Sequence, residues 1–199
     1  MLVTMGERSM DGDSNPHDPR TDLESLRDVL KAALFAAEKH ANQRRRGARA
    51  QPYIQHPLEV AAMVAQALPQ RDTNLIQAAL LHDCLEDAEV TYSQLEEEFG
   101  ADVAALVLEV TDDKSLPKQT RKNLQVESAP RKSARAQYIR VADKISNLRS
   151  ILNDPPIDWT PERQREYVRW AKSVIDRLTS PPPSLKEEFD WTYRRLMGE

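Results

Sequence analysis

Apolar residues in this chain recur at three- and four-residue spacing, in runs several turns long, broken by short polar stretches that carry the prolines and glycines. Leu23, Leu26, Leu30, Ala33, Leu34 and Ala37 predict a first helix, opened by a Thr21–Glu24 capping box and ending near His40. Pro57 suits the first turn of a second helix over 57–67, which Pro69 limits. A third helix is expected over 73–85. Thr91 and Gln94 then form another capping box, and Gly100 ends the short helix that follows. Val103, Leu106, Val107 and Val110 predict a helix over 102–111, and Pro117 starts a basic one reaching about Val126. Ser133 opens a long helix with Tyr138, Ile139, Ala142, Ile145, Leu148 and Leu152 on one face. Thr160-Pro161 opens the next, with Tyr167, Val168, Ala171, Val174, Ile175 and Leu178 inward, and Pro181-Pro182-Pro183 breaks it. Ser184 and Glu187 cap a last helix carrying Phe189, Trp191, Tyr193 and Leu196. No segment reads as a strand, no repeat is visible and no heptad persists. The expected fold class is therefore all-α, a compact orthogonal-type helical bundle. Residues 1–20 lack apolar periodicity and read as a disordered or loosely packed tail, and 21–199 as one domain.

Composition narrows the field. The chain has 199 residues, 40% apolar and 30% charged, enough for a single core with charged outer faces. A net charge of −4 gives no global signal for nucleic acid or membrane, and no apolar run or leader suggests a span or a secretion signal. Cys84 is the single cysteine, so no internal disulfide forms and a cytoplasmic, reducing setting is expected.

Chemistry concentrates in Ala78-Ala79-Leu80-Leu81-His82-Asp83-Cys84-Leu85-Glu86-Asp87. An apolar helical run delivers a His-Asp pair to its end, with a Glu-Asp pair one turn later. Such groups are costly to bury unless paired or bound to metal. By itself the segment reads equally well as a helix end with a solvated acidic turn. Two ligands leave a metal under-coordinated, so partners must come from elsewhere. His56 opens the second helix in Tyr53-Ile54-Gln55-His56-Pro57, and Asp143 stands inside the apolar face of the long helix. Each has a bland alternative: a core histidine, and a salt bridge to a neighbouring Arg or Lys. As a set, His56, His82, Asp83 and Asp143 mix nitrogen with hard oxygen donors, and manganese, iron and zinc all fit. Such an ion acidifies water and polarises a phosphoryl oxygen. Glu86 and Asp87 lie four residues after His82 and Asp83, on a helix the spacing for one face, suited to orienting water and moving protons. Cys84 is expected to be a core thiol. Basic residues gather at Arg44-Arg45-Arg46 and between Lys114 and Arg149. Most suit solvated helix faces; a few suit a phosphate pocket. Asn147, one turn past Asp143, faces the same site.

These segments resemble the HD-domain metal phosphohydrolases. More narrowly the chain is similar to the small alarmone hydrolases, single-domain, metazoan-SpoT-homologue-like relatives of the hydrolase half of the Rel/Spo stringent-response enzymes. The resemblance runs from about Leu26 to Leu178. It rests on Gln43-Arg44-Arg45-Arg46, Pro52 to Pro57, Ala78 to Asp83 with Glu86-Asp87, Glu109 to Lys114, Leu116-Pro117-Lys118, Ala142-Asp143-Lys144 with Asn147-Leu148-Arg149, and Glu166-Tyr167 with Trp170-Ala171. It implies an HD-domain helical bundle in which one Mn²⁺ is held by His56, His82, Asp83 and Asp143, and Glu86 and Asp87 serve the hydrolytic water. It also implies that Arg45 stacks on guanine, Asn147 contacts the nucleoside, and Lys118, Arg121 and Tyr167 lie on the phosphate side. Arg46 is counted with the substrate-binding residues; the family usually has lysine there. Two further departures, the lack of the usual glycine just ahead of Pro52-Tyr53 and Cys84 in place of Thr or Val, bear on substrate preference rather than on the metal.

The activity the resemblance implies is removal of the 3′-pyrophosphate of ppGpp or pppGpp, giving GDP or GTP and pyrophosphate. The alternatives are a phosphatase acting on the 2′-phosphate of NADPH or another nucleotide, and a non-catalytic nucleotide sensor, which would be marked by a lost ligand or Glu-Asp pair. A two-metal enzyme needs more than the four histidines present. Synthetase activity is not expected, because the chain is too short for that second domain. The expected partner is a small-molecule nucleotide, with no nucleic acid and no membrane; the oligomeric state is left open.

Overall fold

The computed structural model describes residues 19–199, apart from the side chains of 19–21 and of Asp87. The helices run in the order α1 (Pro19–Lys39), α2 (Gln55–Ala67), α3 (Thr73–Leu81), α4 (Cys84–Asp87), α5 (Tyr92–Phe99), α6 (Ala101–Val110), α7 (Lys118–Ser128), α8 (Ala134–Asn153), α9 (Pro161–Ile175) and α10 (Pro183–Met197). A 3₁₀ turn, Ala129–Arg131, joins α7 towards α8. Among the described residues extended backbone pairs only in two isolated bridges, Arg44 with Pro52 and Gly47 with Pro156. The all-α expectation therefore holds. No described helix is long and apolar enough to cross a membrane.

The bundle is built around α8, which packs against α2, α3, α6, α9 and α10. Its sequence predicts one apolar face, but the helix is buried on nearly every side, from Ala136 and Ile139 round to Val141, Ile145 and Leu148. Five polar residues go in with them: Gln137, Arg140, Asp143, Lys144 and Ser146. A central helix has no solvent side to hold such groups, so each must find a partner inside.

Several helix ends follow the expected chemistry. Asp72 accepts from Leu75 N (3.0 Å), Ser133 from Ala136 N (3.1 Å), and Thr160 from Arg163 N (3.3 Å). The Thr91–Gln94 capping box is complete. Gly100 takes φ 85°, a left-handed value that glycine adopts without a Cβ clash.

Four expectations change. First, α1 begins at Pro19, within the expected tail; the rest of that tail, residues 1–18, and the Thr21 side chain of the first capping box lie outside the described residues. Second, the leucines that announced α1 do not all face the core: Leu23, Leu26, Leu30 and Leu34 are exposed. Helix α1 lies on α3 through Ala32 and Ala36, whose small side chains bring the backbones close, and Phe35 meets Phe99 edge-on at 5.2 Å. Third, α10 starts at Pro183, with no side-chain cap from Ser184. Proline at the first helical position is preset for helical φ and has no N–H to leave unpaired. Fourth, the helix expected over 73–85 breaks at His82-Asp83 into α3 and α4. This break shapes the site.

The basic loop before α2 is held by close approach. A Cβ at Gly47 would lie 2.4 Å from the Asp154 backbone oxygen, so only glycine lets the loop rest against the end of α8. Arg45 N also bonds Gln51 O (2.8 Å), closing the loop on itself.

Candidate metal centre and active site

Three helical segments meet at one cavity. His56 stands in the first turn of α2, Asp143 midway along α8, and His82 and Asp83 occupy the turn between α3 and α4. Asp83 adopts φ −97° and ψ −4°, the bridge conformation that ends one helix before the next begins. Adjacent residues of a continuous helix diverge by about 100°. The break at this turn turns both side chains inward, where a smooth helix would separate them.

One donor atom from each of His56, His82 and Asp143 falls within 4.8 Å of the others. Asp83 joins them: its Oδ2 is 3.4 Å from His56 Nε2 and 3.2 Å from His82 Nε2. Asp143 Oδ1 is also 3.4 Å from His56 Nε2. The outer ring nitrogens are engaged elsewhere, His82 Nδ1 donating to Ala79 O (2.8 Å) and His56 Nδ1 meeting Ser146 Oγ (2.9 Å). That leaves both Nε2 atoms aimed at carboxylate oxygens. Among the described residues His82 Nε2 is buried with no hydrogen-bond partner. Lone pairs facing carboxylates repel unless a cation or a proton sits between them. The donor set thus fits a divalent ion, with two imidazoles and two carboxylates.

The charges follow the same logic. Burial opposes protonation of His82, but the nearby carboxylate of Asp83, with that of Asp143, outweighs it and lifts its pKa from 6.5 to about 9. Burial would likewise raise the Asp143 carboxyl, yet Lys144, His56 and His82 hold it well below the ordinary range. Asp83 is held down in the same way by His82 and His56 against its own burial. Two ionised carboxylates facing two histidines make a trap for positive charge. A histidine whose folded pKa is raised stabilises the fold fully below its unfolded pKa and loses that contribution as pH climbs through the folded value. Chelator-treated protein should therefore lose thermal stability between about pH 6.5 and about pH 9, read from its melting temperature across that range. A flat profile would contradict the coupling of His82 to the carboxylates.

Glu86, on α4, lines the same cavity of about 190 Å³ as the four donors. Its Oε2 accepts from Asp112 N (3.4 Å), and its Oε1 is 3.5 Å from Arg121 Nη1. Asp87 closes α4, and its side chain lies outside the described residues. Asn147 donates to Asp143 Oδ1 (2.6 Å) and accepts from Arg45 Nη2 (3.3 Å), joining the donor cluster to the basic loop. Tyr167 borders this cavity and both neighbouring ones. Burial, reinforced by the Asp143 charge, pushes its phenol far above the usual range, so it stays a hydroxyl donor.

The remaining expected residues divide between two flanking cavities. Arg45 and Arg46 border one of about 250 Å³, shared with Tyr53, Asn147 and Trp159. Arg46 is tied outward to Asp158 (2.7 Å). Lys118 and Arg121 border the other, about 460 Å³, with Lys122, Arg163 and the ring of Trp170. Cys84 is a buried thiol pushed up to about 12, chiefly by burial, neither nucleophile nor ligand in that state.

Other residues of the site carried no role in the sequence reading. Tyr53 Oη donates to Asp83 Oδ2 (2.7 Å). Lys144 Nζ donates to Asp143 Oδ2 (2.9 Å) and lies 4.7 Å from the Trp170 ring centroid. Arg140 reaches Asp112 at 3.5 Å. For Arg140 and Lys144 the signal was the density of polar residues on α8, which the apolar spacing of that helix masked.

A model of the HD domain family matches residues 32–178. The chain is 45% identical over 162 residues to guanosine-3′,5′-bis(diphosphate) 3′-pyrophosphohydrolase MESH1 of Xenopus tropicalis, covering 81% of this chain and 90% of that one. It is 43% identical to the Homo sapiens protein of the same name, covering 84% and 93%. A solved structure of a metazoan ortholog of SpoT that hydrolyzes ppGpp superposes with TM-score 0.81 at 40% identity, covering 84% of this chain and 94% of that one. With α2, the α3–α4 turn and α8 lying inside the matched span and carrying the four donors, the chain belongs to the HD domain family.

Proposed function

We propose that this protein is a metal-dependent hydrolase that removes the 3′-pyrophosphate of guanosine 3′,5′-bis(diphosphate) and its 5′-triphosphate analogue. The observation that carries the reading is the convergence of His56, His82, Asp83 and Asp143 on one cavity that also holds Glu86. Relatives named for this reaction match most of the chain.

On this reading His56, His82, Asp83 and Asp143 hold one divalent ion, taken to be Mn²⁺, which when bound acidifies water and polarises a phosphoryl oxygen. Glu86 takes a proton from the attacking water, and Asp87 shares that proton traffic. The water oxygen bonds to the phosphorus attached to the ribose 3′-oxygen. The bond from that phosphorus to the 3′-oxygen breaks, the oxygen is protonated, and pyrophosphate leaves GDP or GTP behind. Arg45 lays its planar guanidinium on the guanine in the smaller flanking cavity, with Arg46 at its rim, and Asn147 orients the ribose. Lys118 and Arg121 take the phosphate charge in the larger one, and Tyr167 donates between them. The lone buried thiol suits a reducing cytoplasm.

Product analysis tests the proposal. Incubation with ppGpp and Mn²⁺ should yield GDP and pyrophosphate. Orthophosphate as the sole phosphate product would replace this reading with a phosphomonoesterase acting on substrates such as NADPH. Tight ppGpp binding without turnover would replace it with a nucleotide sensor.

A further inference from the structure

We infer that Ser146 and Glu59 are positioning residues that hold His56 in its metal-ligating tautomer, and that Arg149 ties this relay to the C-terminal helix. The inference rests on the proposed metal site and adds residues that support one of its proposed ligands from the far side of the imidazole ring. Glu59 lies one turn after His56 on α2, and Ser146 reaches between them from α8. Ser146 Oγ donates to Glu59 Oε2 at 2.6 Å, and His56 Nδ1 meets the same hydroxyl at 2.9 Å.

The proton directions follow from the chemistry. A carboxylate only accepts, so the hydroxyl proton points at Glu59 and the Ser146 oxygen accepts from His56 Nδ1–H. The His56 Nε2 lone pair then faces Asp83 and Asp143, each 3.4 Å away. Without the relay, those two carboxylates favour the opposite tautomer, with the proton on Nε2 where a metal would bind. The relay therefore opposes a specific competing state.

Glu59 is held in its turn. Its Oε1 accepts from Arg149 Nη1 (2.8 Å), and Arg149 Nη2 donates to Glu188 on α10. Arg149 and Ser146 are three residues apart on α8, so they grip the two oxygens of one carboxylate. Glu188 lies beyond the residues matched by the family model, so the support of this ligand extends past the family's common span.

The test uses the full chain, stripped with a chelator and titrated calorimetrically with Mn²⁺. Ser146→Ala should weaken Mn²⁺ affinity about 10- to 100-fold, the usual cost of losing a ligand's supporting partner. Ser146→Thr, which restores a hydroxyl, should recover most of it. Glu59→Gln should weaken binding comparably. Arg149 claims the amide oxygen, so the amide N–H₂ faces Ser146, reverses the hydroxyl and drives the His56 proton onto Nε2. A role in packing alone would lower the melting temperature of Ser146→Ala and leave Glu59→Gln with normal Mn²⁺ affinity. Wild-type affinity in both Ser146→Ala and Glu59→Gln would overturn the relay while leaving the metal site standing. Failure of the wild-type chain to take up Mn²⁺ would overturn the metal site and the relay with it.

Discussion

Asp143→Ala should abolish metal uptake and hydrolysis together. Asp143 is a proposed ligand on which three side chains converge. Its Oδ1 accepts from Asn147 and its Oδ2 from Lys144, and His56 Nε2 stands 3.4 Å away. Removing a partner that supports a ligand from outside commonly costs about 10- to 100-fold in affinity, and removing the ligand itself should exceed about 100-fold. Stability should fall as well, because Lys144 would stay buried without its carboxylate, a loss on the order of 3–5 kcal/mol. Asp143→Asn separates the two effects. It keeps the volume and an oxygen for Asn147 but removes the charge, so its circular dichroism should match wild type while Mn²⁺ binding and turnover disappear. Full turnover of ppGpp by Asp143→Ala, after chelation and return of Mn²⁺, would remove the metal from the mechanism.

Glu86→Gln should show the complementary pattern of intact metal binding and lost rate. Glu86 borders the donor cavity and is engaged by Asp112 N and Arg121. Glutamine keeps the shape and an oxygen for Asp112 N but cannot take a proton from water. Loss of a positioned general base costs about 10²- to 10⁴-fold. That loss should fall on kcat, with KM for ppGpp and the Kd for Mn²⁺ near wild type. Unchanged kcat would move the base elsewhere. Asp87 is the next group in sequence able to act.

These two expectations separate residues that the sequence presents as one cluster. His82, Asp83, Glu86 and Asp87 fall within six residues of sequence, and helical spacing pairs Glu86 with His82 and Asp87 with Asp83. The chain does not continue as a helix through them. The turn at His82-Asp83 brings two consecutive side chains to one cavity and restarts the helix at Cys84. Periodicity could not reveal this turn, because no proline or glycine marks it. It is held by tertiary contacts: Tyr53 on Asp83, and the wall formed by α2 and α8.

The exposed leucines of α1 make the same point from the opposite side. Leu23, Leu26, Leu30 and Leu34 signalled a helix correctly, since their spacing reports period. Spacing alone does not choose which stripe is buried. Close packing of Ala32 and Ala36 on α3 chose it, and small side chains carry little hydrophobic signal of their own. On α8 the apolar face was legible, and Asp143 stood out within it. Arg140, Lys144 and Ser146 did not, because a polar residue beside an apolar stripe reads as the solvent side of a surface helix.

The sequence by itself determined the helices, several of their caps, and the candidate donors, because period, capping chemistry and ligand type are local properties of the chain. Only the tertiary structure decided how those donors meet. It broke a helix at His82-Asp83, buried α8 on nearly all sides, and set Ser146 and Glu59 behind His56. The physical reason is distance along the chain. Ninety residues separate His56 from Ser146 and are crossed by a single hydrogen bond of 2.9 Å, a contact no local pattern encodes.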